Sequence, residues 1–249
     1  MTQEVLFDRG LLRQNRKRAL KNFAQHNFLH HEIANRIAEN VEMLNRDFQN
    51  ILEIGAMDDG LSKLVLSNSS GSYHFCDDEE SLPIQPESFD LILSNLNLHY
   101  INQIPQFLSQ IKSLLKSNGI FIASFFGEEN LSQLVHVMHE TENEIYGGIS
   151  PRTPPTIDVK TAANLLSKVG FQNPISDFEK IEVNYSDPLN LLKDLKMMGQ
   201  GNILTKRSRK FLTKNFLKKV SQNYRKMYSA ADGNVSATFE IVTVAGWKK

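Results

Sequence analysis

The sequence is poor in the features that would assign it to several large classes. It holds one cysteine, Cys76, in 249 residues. No disulfide can form within the chain, and a reducing compartment is expected. No apolar run approaches the roughly 20 residues that a helix needs to span a bilayer. The segment Met1–Gly10 lacks the apolar core of a secretory signal, and Glu4 and Asp8 speak against an acid-poor transit peptide. A cytoplasmic protein without a membrane span is the resulting expectation. Net charge is also absent: 28 Lys and Arg offset 28 Asp and Glu, so the bulk signature of a nucleic-acid binder is missing. Internal repeats and low-complexity tracts do not occur.

What is present can build a core, since 41% of the residues are hydrophobic. The length fits one domain, 1–249, with an added lid. Charge is uneven along the chain. Arg9, Arg13, Arg16, Lys17, Arg18 and Lys21 make a basic start. Lys206, Arg207, Arg209, Lys210, Lys214, Lys218 and Lys219 make a basic segment near the end, and Asp77, Asp78, Glu79 and Glu80 an acidic knot. Such runs form solvated helix faces, or a basic surface for an acidic partner, a nucleic acid or an anionic membrane. Cys76 ends a hydrophobic strand and is expected as a small core residue.

Periodicity orders the chain. Residues 9–25 are helix-prone, and 28–43 set Ile33, Ile37, Val41 and Leu44 at helical spacing. Asn50–Gly55 is a short apolar run stopped by glycine, the pattern of a buried parallel strand. A short helix over 59–67, a turn at Asn68–Gly71 and a strand at Ser72–Cys76 follow. Phe89–Ser94 and Ile120–Phe126 read as strands. The amphipathic stretch Pro105–Leu115 lies between them, and Asn118-Gly119 is expected to cap it. Alternating strands and helices over 50–126 indicate βαβ units and a mainly parallel sheet. Beyond Gly127 come helices at 131–146 and Thr156–Val169, a strand at Ile181–Tyr185, helices at 188–198 and 206–228, and a late strand at Thr238–Trp247. This gives N-terminal helices over 1–47, a ligand-binding core over 48–127, and a lid with late strands over 128–249.

The strongest chemical signal is Glu53-x-Gly55 at the end of a buried strand and before a helix. A loop that lets backbone approach a nucleotide-like ligand favours glycine there. Further segments join it: Asp78-Glu79-Glu80-Ser81-Leu82-Pro83-Ile84, then Phe89–Ser94 with Leu96, Leu98, His99 and Tyr100, then Leu115–Gly119. Together they resemble the S-adenosylmethionine (SAM) dependent methyltransferases. Phe7-Asp8-Arg9, Ser150-Pro151, Val183-Asn184-Tyr185, Asp194-Leu195, Met198-Gly199, Tyr224–Tyr228, Asp232-Gly233 and Gly246-Trp247 extend the resemblance over nearly the whole chain. They are similar to the subgroup of the mitochondrial complex I assembly factor 5, related to the biotin-pathway malonyl-carrier-protein methyltransferase.

The resemblance implies a Rossmann-like α/β fold with helices on both faces of the sheet. It implies SAM as cofactor, held by Glu53 under the methionine end, Gly55 in the loop, Asp78 and Glu79 at the adenine, and Ser94 facing the methionine portion. It also implies a respiratory complex I subunit as partner, and either methyl transfer to a protein or small carboxylate or hydroxylation of a protein arginine. Two departures stand out. Met57 and Asp59 replace the second and third glycines of the family's G-x-G-x-G loop. The segment Leu61–Cys76 has room for one helix and one strand only, so one βα unit is missing. The ribose-binding carboxylate then falls to Asp77 or Asp78. A degenerate, non-catalytic SAM site is the remaining alternative.

Methyl transfer from an activated sulfonium needs positioning more than a reactive side chain, so no catalytic residue stands out; Asn97, His99 and Tyr100 are polar groups near the donor. The trios His30, His31, Glu32 and His136, His139, Glu140 offer the residue types of a two-histidine, one-carboxylate metal set. Both read as surface clusters, and no metal is expected.

Overall fold

The computed structural model describes residues 5–67, 71–80, 82, 85–209 and 212–249. Asn68–Ser70 of the expected turn, Ser81, Pro83 and Ile84 of the Leu-Pro segment, and Lys210 lie outside the described residues. In chain order the elements begin with α1 (Arg9–Ala19), α2 (Phe28–Met43), β1 (Asn50–Ile54), α3 (Gly60–Leu66), β2 (Ser72–Cys76) and β3 (Phe89–Ser94). Then come α4 (Ile104–Leu114), β4 (Leu115–Phe126), α5 (Ser132–Tyr146), α6 (Val159–Val169), β5 (Gln172–Tyr185), α7 (Pro188–Met197), α8 (Lys214–Tyr228) and β6 (Val235–Trp247).

The strand order is β2-β1-β3-β4-β6-β5. β1 pairs in parallel with both β2 and β3, and β3 with β4. β6 returns antiparallel to β4. The fold is the mainly parallel, Rossmann-like α/β class. Between β1 and β3 stand one helix and one strand, as the short segment 61–76 requires, and β2 is left as a sheet edge.

Contacts divide the chain into two compact units: Met1–His26 with Glu128–Pro155 and Lys180–Glu240, and Asn27–Gly127 with Thr156–Glu179 and Ile241–Lys249. In the second unit the central strands are buried on both faces, which is why they read as unbroken apolar runs. Leu52, Ile54, Ile92, Phe121 and Phe125 pack with Phe107, Leu108 and Ile111 of α4 and Leu166 of α6. Alternation along the strand sends Ile51 and Glu53 of β1 to the opposite face. Leu29, Ile33 and Ile37 of α2 are also buried. In the first unit, α8 buries Phe216, Val220 and Tyr224, and Asp8, Asp187 and Thr213 cap α1, α7 and α8 with side-chain oxygens.

Four expectations are corrected. The helix expected over 206–228 begins only at Lys214, because Thr213 accepts from Phe216 N and sets the start there. Asn118-Gly119 does not cap α4. The chain is already extended at Leu115, and Asn118, at φ 60°, lies inside β4, whose register with β3 shifts between Phe89 and Leu91. The strand expected at 181–185 is the end of β5, which starts at Gln172; its alternation of exposed and half-buried residues hides it from a search for apolar runs. Cys76 packs against the core but is itself only half-buried on the edge strand, and its thiol donates to Asp78 O at 3.3 Å.

Asp90 ties the entry of the central strand. Its carboxylate accepts from Gln49 N (3.1 Å) and Asn50 N (2.9 Å) at the start of β1, with Lys116 Nζ at 3.4 Å. Asp90→Ala leaves two backbone donors unpaired and is expected to destabilise the chain by about 2–3 kcal/mol. Urea unfolding measures this; a loss under about 0.5 kcal/mol would show that water replaces the carboxylate.

Candidate active site

The carboxyl ends of β1, β2 and β3 form the site, all within the second unit. β1 is followed by the β2 crossover on one side, while β3 and β4 lie on the other. The crevice where strand order reverses is where open α/β sheets bind ligands. Gly55 turns the chain there at φ 75°. A Cβ at this position would lie 2.3 Å from the Asn97 Nδ2 atom, so no side chain fits. Gly55 N donates to Cys76 O at 2.8 Å, which brings the end of β2 and the acidic knot beside the turn. Ser94 is fully buried, and its hydroxyl donates to Ile54 O at 3.1 Å, joining the ends of β3 and β1.

Glu53 lies just before the turn and is 2% exposed. Among the described residues its carboxylate accepts one hydrogen bond, from the Tyr73 hydroxyl of β2 at 2.8 Å. Burial pushes its pKa from 4.5 up to about 7, against the pull of Tyr73, and the Asp58 carboxylate adds to the rise. Burial, with the Glu53 charge beside it, raises the Tyr73 hydroxyl as well.

The loop after Gly55 is braced by side chains. Asp58 accepts from Gly60 N (3.0 Å) and from Asn27 Nδ2 (3.0 Å), ahead of α2, with His31 Nε2 at 3.7 Å. Asp59 is exposed and paired with Lys63 at 2.8 Å. Neither Met57 nor Asp59 has a positive φ. A side chain at either position therefore strains no backbone, and Gly55 alone in the loop requires glycine.

The acidic residues separate by burial. Asp77 is exposed. Asp78 is half-buried, with its carboxylate accepting from Glu80 N at 3.2 Å, and Glu79 is 1% exposed. The turn after β3 is held by Ser124, whose hydroxyl accepts from Leu96 N (2.9 Å) and donates to Asn95 Oδ1 (3.2 Å). Asn95 in turn donates to His30 O at 2.9 Å. Leu96 sits at φ 50°, a strained value for leucine. His99 is buried between Tyr100 and Phe126, and its Nδ1 accepts from Phe126 N at 3.4 Å.

The structure thus brings Glu53, Gly55, Ser94 and the start of the acidic knot to one sheet end. Tyr73, Asp58, Asn97 and Ser124 act there too. Sequence reasoning missed Tyr73 and Ser124, because hydrogen bonds across 20 or more residues leave no local pattern. The first histidine trio is not a surface cluster: His30 is 5% exposed, while His31 is open to solvent and Glu32 pairs with Arg36. His136 hydrogen-bonds the Tyr228 hydroxyl at 2.7 Å. Among the described residues no group of three His, Cys, Asp or Glu is placed to hold a metal ion. In the first unit, Asp194 meets His26 at 2.6 Å, with the buried Tyr185 hydroxyl beside the same carboxylate.

A family model described as a methyltransferase domain matches residues 27–123. The mitochondrial arginine-hydroxylase NDUFAF5 of Mus musculus is 33% identical over 98% of this chain and 77% of its own length. A malonyl-acyl-carrier-protein O-methyltransferase of Gallionella capsiferriformans is 24% identical over 98% of the chain and 92% of its own. Among solved structures, a putative methyltransferase from Bacillus halodurans aligns with a TM-score of 0.54 at 11% identity, over 85% of this chain and 98% of that one; the likeness is one of fold. No described helix is long and apolar enough to cross a membrane.

The raised pKa of Glu53 has a consequence for stability. Below 4.5 the carboxyl is protonated in folded and unfolded chains alike. From there to about 7 only the unfolded chain ionises, so stability falls as pH rises, by about 3 kcal/mol in all. Glu53→Gln removes this dependence. Its stability relative to the native protein is expected to climb by about that amount between pH 4.5 and 8, read from urea midpoints. A difference that stays flat with pH would overturn the assignment.

Proposed function

The chain belongs to the family of the mitochondrial arginine-hydroxylase NDUFAF5 and carries a methyltransferase domain over residues 27–123, and from that premise we propose that SAM binds at the ends of β1, β2 and β3 for methyl transfer to an acceptor. The observation that carries this is the Glu53–Gly55 turn. A buried carboxylate with one neutral hydrogen-bond partner calls for a cation, and the methionyl end of SAM offers an ammonium and a sulfonium. SAM supplies a methyl group already activated for transfer. The residues present fit it. Gly55 leaves bare backbone at the crevice, Glu53 faces the positive end, and Asp77, Asp78 and Glu79 supply acceptors for the adenosine hydroxyl and amino groups. Ser94 fixes the strand ends from behind, through Ile54 O.

Calorimetric titration with SAM and S-adenosylhomocysteine tests the proposal. Micromolar dissociation constants, near −8 kcal/mol, are expected. Cation binding favours ionised Glu53, so SAM affinity should rise with pH up to about 7 and level off above it. The rise is up to about tenfold per pH unit below the pKa, and Glu53→Gln should flatten it. Gly55→Val places a branched side chain on the Asn97 amide at positive φ and should abolish binding. Failure of the intact chain to bind either ligand at pH 8 would sink the proposal and favour the non-catalytic module.

A second reading is hydroxylation of a protein arginine, on a respiratory complex I subunit as acceptor, by dioxygen with a two-electron reductant supplied from outside the chain; its arginine chemistry is favoured by the name and the 33% identity of the relative. Product mass separates the two, with a gain of about 14 Da for a methyl group and about 16 Da for a hydroxyl. For the compartment, the lone cysteine supports a reducing one, the cytoplasm, whereas the relative is named mitochondrial.

A further inference from the structure

The first unit carries a basic stretch outside the proposed SAM site. From Leu195 to Ala231 the chain carries ten Lys and Arg and no Asp or Glu, in a protein with 28 of each sign. Helix α8 lies in this stretch. Its packed side holds Phe216, Val220 and Tyr224. Another side opens into a groove of about 430 Å3 against Leu189 of α7.

The groove has an apolar floor and a basic rim. Leu189 and Leu217 are half-buried within it. Lys214, Lys218 and Arg225 line it together with Ser221 and Gln222. Arg225 is already oriented, donating to Ser186 O (2.8 Å) and Gly233 O (3.3 Å). Lys219, in contrast, is taken by Glu144 at 2.9 Å. Among the described residues Lys214 and Lys218 form no salt bridge, although each is exposed on the rim. Positions 214, 218, 221 and 225 recur every three or four residues, so they make one stripe about 16 Å long on the helix.

We propose that this groove docks an acidic amphipathic helix of a partner protein, laid along α8 with its carboxylates on Lys214, Lys218 and Arg225 and an apolar side chain on Leu189 and Leu217. Charge complementarity names the sign of the partner, and the recessed floor names its shape. A concave apolar floor takes a projecting side chain, as helix-in-groove recognition does. A lipid surface would instead meet apolar side chains that protrude beyond the basic ones. The lining holds no aromatic ring on which a base could stack, as single-stranded nucleic acid would require.

The full chain is titrated, by fluorescence anisotropy, with a synthetic helical peptide of about fifteen residues that carries Glu facing the basic stripe and Leu between. A scrambled peptide of the same composition, anionic phosphatidylglycerol vesicles and a single-stranded oligonucleotide are titrated alongside. Binding of the amphipathic peptide is expected to weaken with salt, and at least tenfold in K214E/K218E. SAM titration should be unchanged in that variant, because the groove lies outside the proposed SAM site. K218Q serves as the milder variant if the double substitution unfolds the chain, with a smaller loss in the same direction. Equal binding of the scrambled peptide, tighter binding to vesicles or oligonucleotide, or no binding of the amphipathic peptide overturns the proposal.

Discussion

A side chain at residue 55 would occupy space that the Asn97 amide fills, and the candidate site is organised around that contact. Glycine at that contact also lets the chain turn at positive φ directly after β1. The turn exposes backbone at the crevice, and Gly55 N reaches the end of β2, so that the acidic knot starts beside it. It also requires the loop after β3 to hold Asn97 in place. Ser124, Asn95 and His30 perform that task through three hydrogen bonds in all, while Leu96 sits in a conformation that leucine avoids. Strain held by such bracing is typical of sites where geometry matters more than stability.

Glu53 makes the same point electrostatically. A glutamine there would satisfy the fold and relieve the buried acid, yet the chain holds a carboxylate pushed up to about 7 with a single hydroxyl as partner. Nothing in the packing of β1 calls for that charge, because Ile51, Leu52 and Ile54 around it are wholly apolar and fully buried. A group that opposes folding near neutral pH fits the proposed role of meeting a cationic ligand, and stability conceded at binding sites in this way is common.

The central strands were legible in the sequence because burial on both faces writes itself as an apolar run, as in Asn50–Ile54 and Phe89–Ser94. Glu53 and Gly55 were legible through their position after such a run. Tyr73 was not, since an edge strand with exposed faces gives no periodic signal, and its partnership with Glu53 spans 20 residues. The start of α8 was misplaced because Lys206–Arg209 share the composition of the helix; Thr213 ends that continuity through one capping bond, which composition does not encode. Asn118-Gly119 resembles a helix cap, and its left-handed residue instead serves a register shift within β4.

The altered glycine loop shows why a motif should be read through its backbone. Three glycines in a family pattern suggest three places where a side chain is forbidden. Here only the first has a positive φ, and only there does a neighbouring side chain block a Cβ. At the third position, Asp59 turns to Lys63 in solvent. Between them Asp58, which the pattern leaves unspecified, fastens the loop to Gly60 N and Asn27. Two glycines can therefore be replaced while the turn itself is kept, with rigidity that glycine would have lacked now supplied by side-chain hydrogen bonds. A carboxylate so close also raises the Glu53 pKa, so the bracing that replaces the glycines makes the site more receptive to positive charge.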